Sequence, residues 1–144
     1  MTPLELQALI ASDTEAASLL AQGDDTACAA RCSAIAPKVR KEAFLTERGM
    51  YFALGATVAE TILQKLVTFA QAEQASSPIV ARVLEWLKPN NGGVDFGLQQ
   101  TVEFVAMLHQ AEVLTVDEYN AINALSLYPQ IITPIEVEYV RTRI

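Results

Sequence analysis

Residues 55–75, GATVAETILQKLVTFAQAEQA, form the longest uninterrupted helical pattern in the chain. Apolar side chains recur there every three or four residues, which predicts a helix with one broad apolar face and a polar face opposite. Thr57 followed by Glu60 has the spacing of a capping box, so we expect the helix to start at that pair. Because an amphipathic helix needs partners to cover its apolar face, we predict that residues 57–74 lie at the centre of a bundle. The apolar face comprises Val58, Ile62, Leu63, Leu66, Val67 and Phe69.

Short, capped helices are predicted along the rest of the chain. The pattern Thr-x-x-Glu begins at residues 2, 57, 115 and 133, and each instance is typical of a helix start. Asp13 and Asp24 are expected to cap two more helices, and Ser77 with Pro78 another. The pattern predicts an all-α fold, a compact single-domain bundle of about eight short helices.

Three regions are predicted within this single helical domain of residues 1–144. Residues 1–36 form an N-terminal helical hairpin, and residues 37–46, which lack a helical period, form a connector. Residues 47–144 form the main bundle, and the hairpin packs on it. The aromatic residues expected in the core are Tyr51, Phe52, Trp86, Phe96 and Phe104.

Composition excludes several classes of protein. Hydrophobic residues make up 51% of the chain and charged residues 19%, which argues against disorder. No apolar run reaches the roughly 18 residues of a membrane span, and the N-terminus MTPLELQALI lacks the basic start of a signal peptide. The net charge of -7 disfavours binding to nucleic acid or an anionic membrane. We expect a soluble protein, intracellular or bound in a particle.

Candidate contact residues come from the tyrosines and from a basic stretch. Half of the basic residues fall between residues 31 and 48. An exposed connector paired with nearby acids is favoured over a phosphate-binding patch, because aromatic residues do not alternate with the bases. Tyrosine tolerates a wet interface. The predicted partner surface therefore comprises Tyr119, Tyr128, Tyr139, Arg40 and Lys41.

Few residues suggest catalysis or metal binding. Cys28 and Cys32 lie one helical turn apart, but the single histidine, His109, is distant in sequence, so small buried thiols are expected rather than a zinc site. Glu103 and Glu112 do not share a helix face as a glycosidase pair would require. His109 is expected to be a partly exposed helix residue. We assign no catalytic, cofactor-binding or metal-binding residue and expect no enzyme.

Several short motifs lie along the chain. They are TERG at 46–49, LG at 54–55, ILQKL at 62–66, GVDFG at 93–97, EVLT at 112–115, and an ending with IT at 132–133, Val137 and VR at 140–141. Together they resemble a family of small, all-helical proteins of tailed bacteriophages. The resemblance spans residues 4–141, with Cys32 and Ser33 standing where the family has Leu and Asn. It implies a phage origin and a structural or accessory role, and its motifs carry no catalytic residue.

Two functions follow as hypotheses. The first is a non-enzymatic structural or assembly protein of the phage particle, a tail or head accessory component that contacts other structural proteins or further copies of itself. The alternative is a phage-encoded acidic inhibitor of a host protein, which the charge of -7 permits. Either would place the protein in the virion or the host bacterial cytoplasm, as a symmetric oligomer in the first case.

Overall fold

The computed structural model describes residues 1–72 and 78–144, and its fold is all-α, as predicted. Nine α-helices form within those residues, together with a single 3-10 turn and four strands of two residues each. The helices are α1 (Pro3–Ser12), α2 (Thr14–Ala21), α3 (Asp25–Ile35), α4 (Glu47–Leu54), α5 (Ala56–Ala72), α6 (Ile79–Leu87), α7 (Gln99–Gln110), α8 (Val116–Ala124) and α9 (Pro134–Arg143). The strands are β1 (Val39–Arg40), β2 (Phe44–Leu45), β3 (Val94–Asp95) and β4 (Leu127–Tyr128).

Most of the predicted caps are confirmed. Capping boxes form at Thr2, Thr115 and Thr133, where the threonine hydroxyl accepts the amide of the third helical residue and the glutamate carboxylate accepts the amide of the threonine. Asp13 caps α2 and Asp24 caps α3 through their carboxylates. The predicted cap at Ser77 lies outside the described residues.

The predicted capping box at Thr57 is wrong. Gly55, at φ 86°, ends α4, and α5 begins directly at Ala56, so Thr57 is already the second helical residue. The amide of Ala59 donates to the carbonyl of Gly55 at 3.0 Å, which closes the first turn without a side-chain cap. The Glu60 carboxylate instead accepts hydrogen bonds from the Tyr51 hydroxyl and the Gln64 amide.

The chain divides into two units, each with an apolar core of its own. The terminal unit comprises residues 1–39 and 128–144 and contains α1, α2, α3 and α9. Two bidentate ion pairs tie its helices, Arg31 to Asp13 at 2.9 Å and Arg141 to Asp25 at 2.8 and 3.0 Å. Its buried core comprises Leu6, Ile10, Ala16, Cys28, Ala29, Cys32, Ile132, Val137 and Val140.

The placement of α9 differs from the predicted grouping. Residues 47–144 were predicted to form one bundle, whereas α9 packs against α1 and α3 in the terminal unit. Val137 and Val140 are buried in that core, and Arg141 reaches Asp25 at the start of α3. The apolar period of a helix shows which face it buries but not which neighbour covers that face, so the pattern could not assign α9.

The central unit comprises residues 40–127 and contains α4 to α8. Strands β2 and β3 pair antiparallel, with Phe44 opposite Asp95 and Leu45 opposite Val94. Gly97 permits this approach, because a Cβ there would lie 2.0 Å from the carbonyl oxygen of Lys41. The buried core of this unit comprises Met50, Ala59, Ile62, Leu63, Leu66, Ala70, Val80, Leu87, Val94, Phe96, Val105, Leu108, Leu114 and Ile122.

None of the helices in the described ranges combines the length and the apolar composition that a bilayer span requires.

Candidate protein-binding surface

Helix α6 carries two adjacent apolar stripes, and only one of them is buried. Val80 and Leu87 are buried in the core of the central unit. Ile79, Val83 and Trp86, spaced i, i+4 and i+7, form the second stripe. Ile79 is 47% exposed and Trp86 49% exposed, although a helix that is apolar over so wide a sector is usually covered on both stripes. Val83 packs partly against the core, so Ile79 and Trp86 are the part of this second stripe that the core leaves uncovered.

Opposite that stripe, the segment that leads into α7 completes a groove of about 240 Å³, which we call the Trp86 groove. Leu98 directly precedes α7, and its side chain is exposed. Its backbone amide donates to the carbonyl of Asp95 at 3.3 Å. None of the lining side chains is charged. They are Ile79, Val83, Trp86, Val94, Leu98, Gln100, Thr101 and Phe104.

The tight turn after α6 sets the position of Trp86 against Leu98. The amide of Gly93 donates to the carbonyl of Trp86 at 3.1 Å, and the Asn91 side chain donates to the carbonyl of Glu85 at 2.7 Å. These bonds fold residues 88–93 back over the end of α6. A tryptophan held on a rigid helix is well suited to insert into, or be covered by, an apolar partner.

Trp86 and Phe52 were predicted to lie in the core, and both predictions are wrong. Phe52 is 81% exposed, with the Arg48 guanidinium 5.9 Å from its ring centroid. Phe96 is buried as predicted, while Tyr51 and Phe104 are partly buried against the core. The two apolar stripes of α6 are a pattern from which the exposure of Trp86 could have been suspected. Phe52, on a short helix with a single fully buried residue, has no comparable pattern.

The three predicted surface tyrosines have different environments. Tyr128 and Tyr139 are exposed, and the Arg143 guanidinium lies 5.8 Å from the ring centroid of Tyr139. Both belong to the terminal unit. Tyr119, in the central unit, packs against the core and stacks on His109 with ring centroids 4.7 Å apart. The five predicted contact residues are thus divided between the two units, and their role in binding a partner stays a prediction.

Arg40 and Lys41 are held by the structure rather than presented as a free pair. The Arg40 guanidinium donates to the hydroxyl of Ser126 at 2.6 Å, and Ser126 is fully buried. The amide of Lys41 donates to the carbonyl of Ser126 at 2.9 Å. Arg40 therefore provides a hydrogen-bond partner for the buried hydroxyl of Ser126, which is a structural role.

Cys28 and Cys32 are fully buried, as expected of packed thiols. The Cys28 thiol donates to the carbonyl of Ala16 at 3.4 Å. Burial raises the pKa of both thiols, that of Cys32 to about 12, so both stay protonated at neutral pH and neither is an activated nucleophile. Across residues 1–72 and 78–144, no three histidine, cysteine or carboxylate side chains are grouped so that they could hold a metal ion.

His109 and Glu103 lie on α7, and Glu112 lies in the turn that follows it. His109 Nδ1 lies 3.1 Å from the carbonyl of Leu114, in the turn that links α7 to α8. Glu103 accepts a hydrogen bond from Gln99 one turn earlier on α7. Glu112 lies in the turn itself with φ at 61°, and its side chain borders a groove along α5.

No protein-family model, curated protein or solved structure matches the chain.

Proposed function

We propose that the protein is a non-enzymatic structural or assembly component of a tailed-bacteriophage particle, acting through contacts with other particle proteins or further copies of itself. The observation that carries the proposal is the Trp86 groove. Trp86, Ile79 and Leu98 are each about half exposed within one uncharged groove. Neighbouring exposed apolar side chains of this kind support a contact site, whereas singly scattered ones need no explanation.

The energetics favour this groove as the centre of an interface. Tryptophan is enriched among the few side chains that dominate binding, and truncating such a residue costs about 2 kcal/mol or more. Covering Trp86 and its two neighbours removes apolar surface from water, and the fixed backbone turn after α6 keeps the ordering cost low. The resemblance over residues 4–141 supports the phage origin, and the groove supports the mode of action.

Several motifs of that resemblance fall at turns and helix starts, whereas ILQKL at 62–66 lies within α5. GVDFG at 93–97 contains β3, EVLT at 112–115 leads into α8, and IT at 132–133 precedes α9. These positions maintain the fold and carry no catalytic group. They are consistent with a protein whose function depends on the shape of its surface.

Mass spectrometry of purified particles, combined with variants of the groove, tests the proposal. We expect the wild-type protein in the particle and expect Trp86→Ala to lower its incorporation by about tenfold or more, because a central interface residue is lost. Phe52→Ala is the matched control, since it removes another exposed aromatic side chain of the same unit. Circular dichroism establishes that both variants are folded. Absence of the wild type from particles, or normal incorporation of the Trp86 variant, would contradict the proposal.

The alternative, an acidic inhibitor of a host protein, ranks second. The charge of -7 permits it, but many of the acids cap helices or form ion pairs rather than forming one exposed stripe. Recovery of a stoichiometric host protein from infected cells, with none of this protein in particles, is the result that would favour it. The acids with a cap or ion-pair role among the described residues are Glu5, Asp13, Glu15, Asp24, Asp25, Glu85, Glu118 and Glu136.

A further inference from the structure

The central unit has a second groove, larger than the Trp86 groove, along the exposed side of α5. Its volume is about 800 Å³, within the range of roughly 300–1,000 Å³ typical of binding pockets. Helix α5 supplies one wall, and Glu112 and Val113, from the turn after α7, supply the other. Phe69, Ala72 and Val113 give it an apolar part, and Glu60 and Glu112 are its two acids. We call it the α5 groove. The lining also includes Thr57, Thr61, Gln64, Lys65 and Thr68.

The backbone holds Glu112 at this position. The amide of Glu112 donates to the carbonyl of His109 at 3.0 Å, and the amide of Val113 donates to the carbonyl of Leu108 at 2.9 Å. These two bonds form a Schellman motif, in which the residue with positive φ is usually glycine. Here a glutamate occupies that position at φ 61°. The turn therefore places a carboxylate on the groove at a backbone position where a side chain costs stability.

Glu60, on the opposite wall, is also held in place. Its carboxylate accepts hydrogen bonds from the Tyr51 hydroxyl and from Gln64 Nε2, the latter at 3.2 Å. The bond from Tyr51 lowers the pKa of Glu60, so this carboxylate is ionised at neutral pH. The preorganised side chain has little rotamer freedom left to lose when a ligand binds.

The charges that line the groove do not cancel. Lys65, its one cation among the described residues, is bound to Glu118 with Nζ 2.5 Å from Oε1. Within residues 1–72 and 78–144, no lysine or arginine forms an ion pair with Glu60 or Glu112. The groove therefore presents two uncompensated carboxylates beside an apolar surface, which repels anionic ligands and attracts cations.

We propose that the α5 groove binds an arginine-bearing segment of a partner protein, an inference that rests on the proposed function and specifies the partner. The aliphatic stem of an arginine suits the apolar part of the groove, and its planar guanidinium donates to a carboxylate through two parallel hydrogen bonds. Arginine suits the site better than lysine because its guanidinium is less strongly hydrated and stacks on aromatic rings.

Titration of the full-length, 15N-labelled protein with short peptides tests the inference by NMR. The probe is an acetylated and amidated helical peptide that has arginine on each turn among leucine and alanine. The matched control peptide has citrulline, which is uncharged and of the same shape, in place of each arginine. We expect chemical-shift changes at Thr61, Gln64, Thr68 and Val113 with the arginine peptide, and about tenfold weaker binding of the citrulline peptide.

Variants locate the binding charges. The double variant Glu60→Gln, Glu112→Gln is expected to bind the arginine peptide about tenfold more weakly, because two partly exposed ion pairs are lost. Glu103→Gln removes a carboxylate outside the groove and should leave the affinity unchanged. Added salt should weaken the binding of the arginine peptide to the wild type and have little effect on the double variant.

Three results would overturn the inference. These are equal binding of the two peptides, shift changes that fall outside the groove, and binding of free arginine or spermidine as tight as that of the peptide, since the last would indicate a small-molecule site. Failure here is distinguishable from failure of the proposed function. Peptide binding by a protein that is absent from particles contradicts only the particle role, and loss of particle incorporation by Trp86→Ala without peptide binding contradicts only this inference.

Discussion

Asp13 shows how one carboxylate can connect two helices. It caps α2 by accepting a hydrogen bond from the amide of Ala16 at 2.9 Å. It also accepts hydrogen bonds from Nε and Nη2 of Arg31, on α3, both at 2.9 Å. The hydrogen bonds from Arg31 and Ala16 lower the pKa of Asp13 to about 2. The cap was predictable from local sequence. The partner at Arg31 was not, because that contact depends on how α2 and α3 pack.

This lowered pKa predicts a pH dependence of stability. Because the folded-state pKa of Asp13 lies below its unfolded value of roughly 3.9, the stabilisation is complete above that value and is lost as the pH falls towards 2. Asp13→Asn keeps a good capping residue and removes the charge. We expect the wild type to be more stable than the variant at neutral pH, with the difference closing below about pH 4. Urea denaturation across this range measures it.

Asp117→Asn is the control, since Asp117 lies in the first turn of α8, in the other unit. A difference between wild type and Asp13→Asn that stayed constant from neutral to acid pH would show that the ion pair with Arg31 does not act through the charge of Asp13.

At the scale of elements, the four Thr-x-x-Glu patterns separate local from contextual information. Three form capping boxes, whereas the one at Thr57 does not, because α4 ends at Gly55, at positive φ, and α5 begins at Ala56, two residues before the start that a cap at Thr57 would give. A motif of four residues does not contain that information. The start of a helix also depends on how the preceding element ends.

Alanine substitution should distinguish the two cases. Thr133→Ala removes a true cap and is expected to cost about 1 kcal/mol of unfolding free energy. Thr57→Ala replaces a residue inside the first turn of α5 with the best helix former, so we expect a change between zero and a few tenths of a kcal/mol in favour of the variant. Chemical denaturation of both variants measures this. An equal loss of unfolding free energy in the two variants would show that Thr57 does cap α5.

The difference between local and contextual information also explains how much of the candidate site could be predicted from the sequence. The α6 helix and the turn at residues 88–93 follow from local periodicity and turn chemistry. The place of Glu112 opposite α5 depends on contacts between elements distant in sequence. The exposure of Trp86 has a local signal in the two apolar stripes of α6, but hydrophobicity alone placed the residue in the core.

At the scale of the whole molecule, the chain builds two apolar cores that share no residue. The terminal unit draws its core from both ends of the chain, with Val137 of α9 fully buried beside residues of α1 and α3. Such a core is formed from segments about a hundred residues apart, as in the hydrogen bond of 2.8 Å from the amide of Ile132 to the hydroxyl of Ser33. Sequence periodicity cannot reveal a pairing of that range.

Val137→Ala tests whether each core is stabilised separately. Removing two fully buried methyl groups is expected to cost about 2 kcal/mol, and the loss should fall on the terminal unit. The single tryptophan, Trp86, belongs to the central unit, so its fluorescence reports on that unit, whereas circular dichroism reports on the helices of both. We expect the variant to lose helical signal at lower denaturant while the midpoint of Trp86 emission stays at its wild-type value.

Ile135→Ala is the control on the same helix, because Ile135 is 76% exposed and its truncation should change stability by less than about 0.5 kcal/mol. Equal shifts of both probes in the Val137 variant would instead mean that the two cores unfold together.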